Sequence, residues 1–426
     1  VTRATLVIKG GDVVDETGRH RADVLIDDGR IVAVAQDLDA AHVLDASGCV
    51  VAAGLVDLHT HLREPGREEA ETIETGSRAA ALGGFTTIVA MPNTEPAIDS
   101  AAVVREVQEI GAKALCHVEV AGAITVGRFG VQLAPMAEMA ALGVKLFTDD
   151  GRGVQDALVM RRALEYAADL GVTLAQHCED EVLAAGGAMH EGEWSSRLGL
   201  AGQPAEAEEL MVMRDLTLAR MVGVPVHFQH LSTAGSVALV AAARQRGQAV
   251  TAEATPHHFT LTHESCRSYD PVFKVNPPLR TAADVQAIRA ALTDGTIDVI
   301  ATDHAPHSPH AKELPFDEAP PGMLGLETAL ALALTELDLP IEAVLALMAW
   351  RPARIAGLAA DRYGPLVVGR VADLCVIDSA ATWVVDGARL ASRSRNTPFA
   401  GRSLTGRARH TLLAGEPVVI DGEAQR

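Results

Sequence analysis

GLVDLHTHLREPGREEAETIETGSRAAALGGFTTIVAMPN, residues 54–93, decides the architecture. An apolar run of strand length (54–61) is followed by REEAETIETGSRAAALGG, which spaces its apolar residues as a helix does and stops at glycine. A second β-branched run, FTTIVAMPN (85–93), comes next. Strand, helix and strand in that order make a parallel βαβ unit.

The alternation continues through ALCHVEVAG (114–122), GVKLFTDD (143–150), VTLAQHCED (172–180), PVHFQHLS (225–232), AVTAEATPHH (249–258) and DVIATDHAPH (298–307). Helical patterns such as DALVMRRALEYAADLG and TAADVQAIRAALTDG lie between them. Eight strand-like runs interleaved with helices predict an α/β fold, and eight is the number that closes a (β/α)8 TIM barrel. An open doubly wound sheet is the alternative. Neither GxGxxG nor GxxxxGK[ST] follows any run, which removes its usual nucleotide-binding form.

The two ends read differently. TLVIKGGDVVD and ADVLIDDGRIVAVA near the start, ADLCVIDS and TLLAGEPVVIDG near the finish, are short strands punctuated by Gly and Asp. Either end alone is too small for a core. Residues 1–52 and 361–426 are therefore expected to form one small β domain beside a barrel of residues 53–360.

Composition excludes several partners. Lys plus Arg number 36 against 56 Asp plus Glu, a net charge of −20, which disfavours a phosphate-backbone binder. Aromatic residues at 3% offer few platforms for stacking single strands. The first apolar stretch contains Lys9 and three acids, unlike a secretory leader or a membrane span. Five cysteines without a CxxC fit a reducing compartment. The expectation is a cytoplasmic protein with a small-molecule substrate and neither nucleic acid nor membrane as partner.

Sixteen histidines are the compositional oddity. His59, His61, His177 and His230 fall at the C-terminal ends of strand runs, with Asn93, Asp149, Asp150, Asp303 and His307. That rim is where a (β/α)8 barrel builds its active site. His59 and His61, two apart on a strand, leave one face and can share a metal ion. Asp303 can ligate a metal, act as general base, or do both. A bridge between two ions needs an anionic oxygen donor, from Asp150 or from a carbamylated Lys145. Asp149 reads as a hydrogen-bonding residue of the DDG turn. REEAETIE reads as a solvated helix face, and His304 as pointing away from Asp303.

VDLHTHLREPG (56–66), AMPNT (90–94), TDDG (148–151), QHCED (176–180), HLST (230–233), TPHHF (255–259), KVNPPLR (274–280) and ATDHAPH (301–307) occur in this order. Together they resemble the amidohydrolase superfamily and, within it, the bacterial dihydroorotases. The resemblance implies one or two Zn2+ per subunit, with His59 and His61 on one ion and His177 and His230 on the other. Asp303 would be a further ligand and the catalytic acid/base. Asp150 is favoured over carbamylated Lys145 as the bridge, because the rest of the chain follows the bacterial pattern. Arg63, Asn93 and His307 would hold a substrate carboxylate, and His61 and Asn276 would also face substrate. The segment PFDEAPPGMLGLE (315–327) would close over it, with Pro321 and Gly322 presenting backbone groups.

The implied reaction is reversible cyclisation of N-carbamoyl-L-aspartate to L-dihydroorotate in de novo pyrimidine biosynthesis, by a zinc-activated hydroxide. A homo-oligomer is implied as well, and a complex with aspartate carbamoyltransferase is an option the family carries. The rival readings are a hydantoinase- or allantoinase-type cyclic amidase and an inactive scaffold of aspartate carbamoyltransferase. Arg63 separates the cyclic amidases, because a guanidinium forks onto a carboxylate that hydantoin and allantoin lack.

Overall fold

The computed structural model describes residues 5–426, so the first four residues of the expected 1–52 segment lie outside the described ones. Eight parallel strands follow one another around a barrel: β1 (Leu55–Thr60), β2 (Phe85–Ala90), β3 (His117–Gly122), β4 (Leu146–Phe147), β5 (Thr173–Gln176), β6 (Val226–Phe228), β7 (Val250–Ala254) and β8 (Val299–Ile300). The ring closes where Thr60 bridges His304 in parallel and His61 N–H donates to His304 O at 2.9 Å. Each strand lies within one of the eight runs read from sequence.

Helices return the chain between strands, among them Ile73–Leu82, Ala157–Leu170, Glu206–Val222 and Ala282–Asp294. Their ends follow local chemistry. Asp156 and Thr281 accept from the first-turn amides, and Gly171, Gly223 and Gly295 end their helices in the left-handed conformation. Val56, Leu58, Val89, Met91, Ala121, Leu146, Ala175 and Val299 fill the space inside the barrel with Ala353, Ala356 and Tyr363. Helices and outer strand faces share a larger apolar layer around Phe85, Phe147 and Phe228.

Both ends of the chain build one nine-stranded sheet. Val50–Ala53 pairs with Leu6–Asp15 on one side and antiparallel with Leu374–Val384 on the other, with Val51 opposite Val376. Ile8, Val24, Ile31, Val51, Val376 and Leu412 make its separate core.

The acidic run after β1 departs from the solvated helix face expected of it. Thr72 caps the helix, which starts only at Ile73. Glu71, one residue before the cap, is fully buried and accepts from Thr75 Oγ1, Ser392 Oγ and Arg393 N–H. A single carboxylate thus ties the loop after β1 to residues 392–393.

Candidate metal centre and active site

Six side chains from five strands converge at the C-terminal mouth of the barrel. His59 is the penultimate residue of β1 and His61 follows the strand, while Asp150, His177, His230 and Asp303 follow β4, β5, β6 and β8. All six are buried. His59, His61 and Asp150 can each offer one donor atom within 4.8 Å of the others, and so can Asp150, His177 and His230. The two groups share Asp150.

Hydrogen bonding sets which nitrogen faces inward. Glu253 is an acceptor only, so His59 Nδ1–H donates to its Oε1, 2.7 Å away. His61 Nδ1 lies 2.8 Å from Asn93 Oδ1 and donates likewise. Both Nε2 atoms then face carboxylates. His59 Nε2 sits 3.2 Å from Asp150 Oδ1 and 3.5 Å from Asp303 Oδ1, buried and without a hydrogen bond. His61 Nε2 sits 2.9 Å from Asp303 Oδ1. Positive charge is favoured among these atoms, as an imidazolium proton or as a metal ion held between the nitrogens and the carboxylates. Asp150 Oδ1 is also 3.6 Å from both His177 Nδ1 and His230 Nε2.

The electrostatics agree. Burial alone would lower the pKa of His59, but Asp150, Asp303 and Glu253 outweigh it and hold the imidazole well above its ordinary value. Burial would raise Asp150 and Asp303, yet His59 and the neighbouring imidazoles hold both carboxylates low. A buried pocket of this sign, with imidazole and carboxylate donors, fits zinc.

The residues proposed to meet substrate lie around this cluster. Arg63 is 7% exposed, and its Nε donates to Pro306 O at 3.1 Å. Glu64 accepts from Ile73 N–H and Glu68 from Gly66 N–H, so neither neighbouring acid pairs with the guanidinium. Burial first, then Arg67, brings the Arg63 pKa down to about 10, leaving a cation at neutral pH. Asn93, besides holding His61, reaches toward Asp150 with Nδ2 at 3.5 Å from Oδ2. Asn276 Oδ1 accepts from Gln203 Nε2 at 3.4 Å. His307 Nε2 donates to Pro321 O at 2.8 Å, and Gly322 N–H donates to Lys274 O at 2.9 Å. The backbone groups of Pro321 and Gly322 are thus engaged within the protein. Lys145 is exposed, with its side chain over Gly357, outside both donor groups.

A family model described as Dihydro-orotase-like matches residues 48–236. A dihydroorotase of Pelotomaculum thermopropionicum is 51% identical over 425 residues, 98% of this chain and 99% of that one. Another, from Streptomyces coelicolor, is 50% identical over 426 residues, with 98% and 99% covered. The chain belongs to the dihydroorotase family. A solved structure, the L-hydantoinase (dihydropyrimidinase) from Arthrobacter aurescens, matches the fold with a TM-score of 0.89 at 27% identity, over 99% of this chain and 97% of that one. Dihydroorotase membership and this likeness make the chain a hydrolase of cyclic amides.

Three buried acids support the site in roles that the sequence did not assign to them. Glu253, in β7, holds His59 and also accepts from His227 Nε2 (3.1 Å) and His230 N–H (3.2 Å). A lone acid inside the apolar run AVTAEATPHH was its only signal. Asp149 does not serve its own turn through its side chain: the carboxylate accepts from Ile124 N–H, Thr125 N–H and Thr125 Oγ1, tying the loop after β3 to that after β4. Glu71 lies 3.3 Å from His304 Nε2, while His304 Nδ1 accepts from Gly325 N–H. His304 therefore faces away from Asp303, toward Glu71. Close packing shapes the rim too, since a Cβ on Gly153 would fall 2.1 Å from His177 O. Among the described residues, no helix is long and apolar enough to cross a membrane.

Proposed function

We propose that this chain catalyses the reversible closure of N-carbamoyl-L-aspartate to L-dihydroorotate, a cytoplasmic step of de novo pyrimidine synthesis. The observation that carries the reading is a buried Arg63, not ion-paired with its neighbours Glu64 and Glu68, beside two histidine pairs that share one carboxylate. We read residues 53–360 as the catalytic unit and 1–52 with 361–426 as its β domain.

His59, His61, His177, His230, Asp150 and Asp303 would hold zinc, one or two ions per subunit, with Asp150 as the bridge. Support for Asp150 is its place in both donor groups, while Lys145 is exposed elsewhere. When bound, zinc supplies Lewis acidity and makes water a usable nucleophile near neutral pH. Asp303, held as a carboxylate, takes the proton of the attacking water and returns it to the departing amide nitrogen. In the biosynthetic direction it moves the same proton the other way. Arg63 forks onto the ring carboxylate, with Asn93 and His307 beside it and Asn276 lining the pocket. Free, buried cysteines at all five positions support a reducing compartment.

The test is ultraviolet-monitored ring opening of L-dihydroorotate by zinc-replete protein, alongside hydantoin, dihydrouracil and allantoin. Turnover of dihydroorotate alone supports the reading. Turnover of the uncharged rings would replace it with a hydantoinase-type activity, and no turnover by folded, zinc-loaded protein would replace it with a scaffold.

A further inference from the structure

After β8 the chain leaves the barrel as a loop whose base is closed by Ala305 N–H donating to Met323 O at 2.8 Å. Five prolines, Pro306, Pro309, Pro315, Pro320 and Pro321, thin out the amide donors of this loop, and its internal backbone bonds stay local, as from Ala311 to Ser308 and from Ala319 to Pro315. The carbonyls at its far end, such as that of Pro320, take protons from side chains instead.

Lys312 supplies them. Its half-buried Nζ lies 2.8 Å from Pro320 O, 3.0 Å from Pro271 O and 3.3 Å from Lys274 O. An ammonium has three protons, and the geometry gives each an acceptor. One acceptor belongs to the far end of the loop and two to the turn at 271–274, between β7 and the helix Ala282–Asp294. Lys274 answers from the turn: its Nζ donates to Asp317 O at 2.8 Å, and its carbonyl also takes Gly322 N–H. Next to these contacts, His307 holds Pro321 O and Arg63 holds Pro306 O.

We propose that Lys312 is a positioning residue: by donating to three carbonyls it clamps the 305–322 loop onto the 271–274 turn and so fixes His307 and Pro321 beside Arg63. The proposal rests on the reading of Arg63 and His307 as the carboxylate pocket. A methionine would keep the buried stem and remove every donor, whereas an arginine keeps charge and donors.

The experiment uses zinc-loaded full-length wild type, Lys312→Met and Lys312→Arg. Amide hydrogen exchange at Gly322 reads the clamp, and steady-state kinetics with L-dihydroorotate read its consequence. Lys312→Met is expected to lose roughly tenfold in Gly322 protection and to raise KM roughly tenfold with kcat nearly kept. Lys312→Arg is expected to recover most of both, with zinc content equal in all three. Unchanged Gly322 protection in Lys312→Met would overturn the clamp, and lost protection with unchanged KM would overturn its positioning role. Should Lys312→Met fail to fold, Lys312→Leu, which also has no donor, takes its place with the same criteria. Because exchange needs no turnover, an enzyme inactive on dihydroorotate still reports on the clamp, which separates failure of the clamp from failure of the substrate assignment.

Discussion

Glu253 Oε1 and His59 Nδ1 are 2.7 Å apart in a fully buried pair. The carboxylate turns the imidazole so that Nε2 faces Asp150 and Asp303, the arrangement by which a second partner orients a metal ligand. Glu253→Ala is therefore expected to weaken zinc binding roughly 10- to 100-fold. Zinc retained after dialysis against a graded chelator series checks this, and wild-type retention would remove Glu253 from the site's support.

Arg63 offers a buried guanidinium to an anion. Arg63→Met is expected to lose most activity on L-dihydroorotate, about 2–5 kcal/mol in kcat/KM, while zinc content stays at the wild-type level. Turnover close to wild type in this variant would sink the carboxylate assignment.

Asp150 and Lys145 share the run GVKLFTDD, and their substitutions should separate cleanly. Asp150→Asn is expected to lower zinc content and activity together, because it touches both donor groups. Lys145→Met is expected to change neither, since that side chain is exposed away from the cluster. Elemental analysis with parallel assays in carbonate-depleted and carbonate-supplemented buffer distinguishes them. A carbonate-dependent loss in Lys145→Met would restore the carbamate bridge.

Glu71 makes acid stability a readout of the loop after β1. Burial alone would raise its pKa, but His304, Ser392 and Thr75 outweigh burial and hold the carboxyl low. A lowered folded pKa contributes stability that is present above the unfolded value and lost as pH falls through the folded one. Glu71→Gln should be destabilised by about 1–3 kcal/mol near neutral pH, and the gap to wild type should narrow in acid. Urea midpoints measured from neutral pH to below about pH 4, near the free glutamate value, check the sign. A gap that stays constant with pH would show that packing, not the charge, carries the effect.

The barrel was legible because its signals are local. Each strand run is apolar, several helices end at a glycine such as Gly171, Gly223 and Gly295, and helix caps such as Thr281 need only residues a few positions away. The clustering of the candidate ligands was legible for a related reason: parallel strands bring their C-terminal ends to one mouth, so His59, His177, His230 and Asp303 share a rim once the alternation is read. The charged loop was harder. REEAETIE has the composition of a solvent-facing turn, and partners far along the chain, the His304 ring, the Ser392 hydroxyl and the Arg393 amide, give Glu71 a reason to be buried.

What periodicity and spacing could determine was therefore the architecture and the gathering of candidate ligands at the strand ends, and ordered motifs added the family. Tertiary structure alone decided the partners of those ligands. Glu253 meets His59 across 194 residues and Lys312 meets Pro271 across 41. Burial turns such long-range pairings into orientation, since a polar group without water must take whichever partner the closed fold brings to it. In GVKLFTDD the same closure leaves Lys145 exposed and buries Asp150 among imidazoles, a difference no local pattern carries.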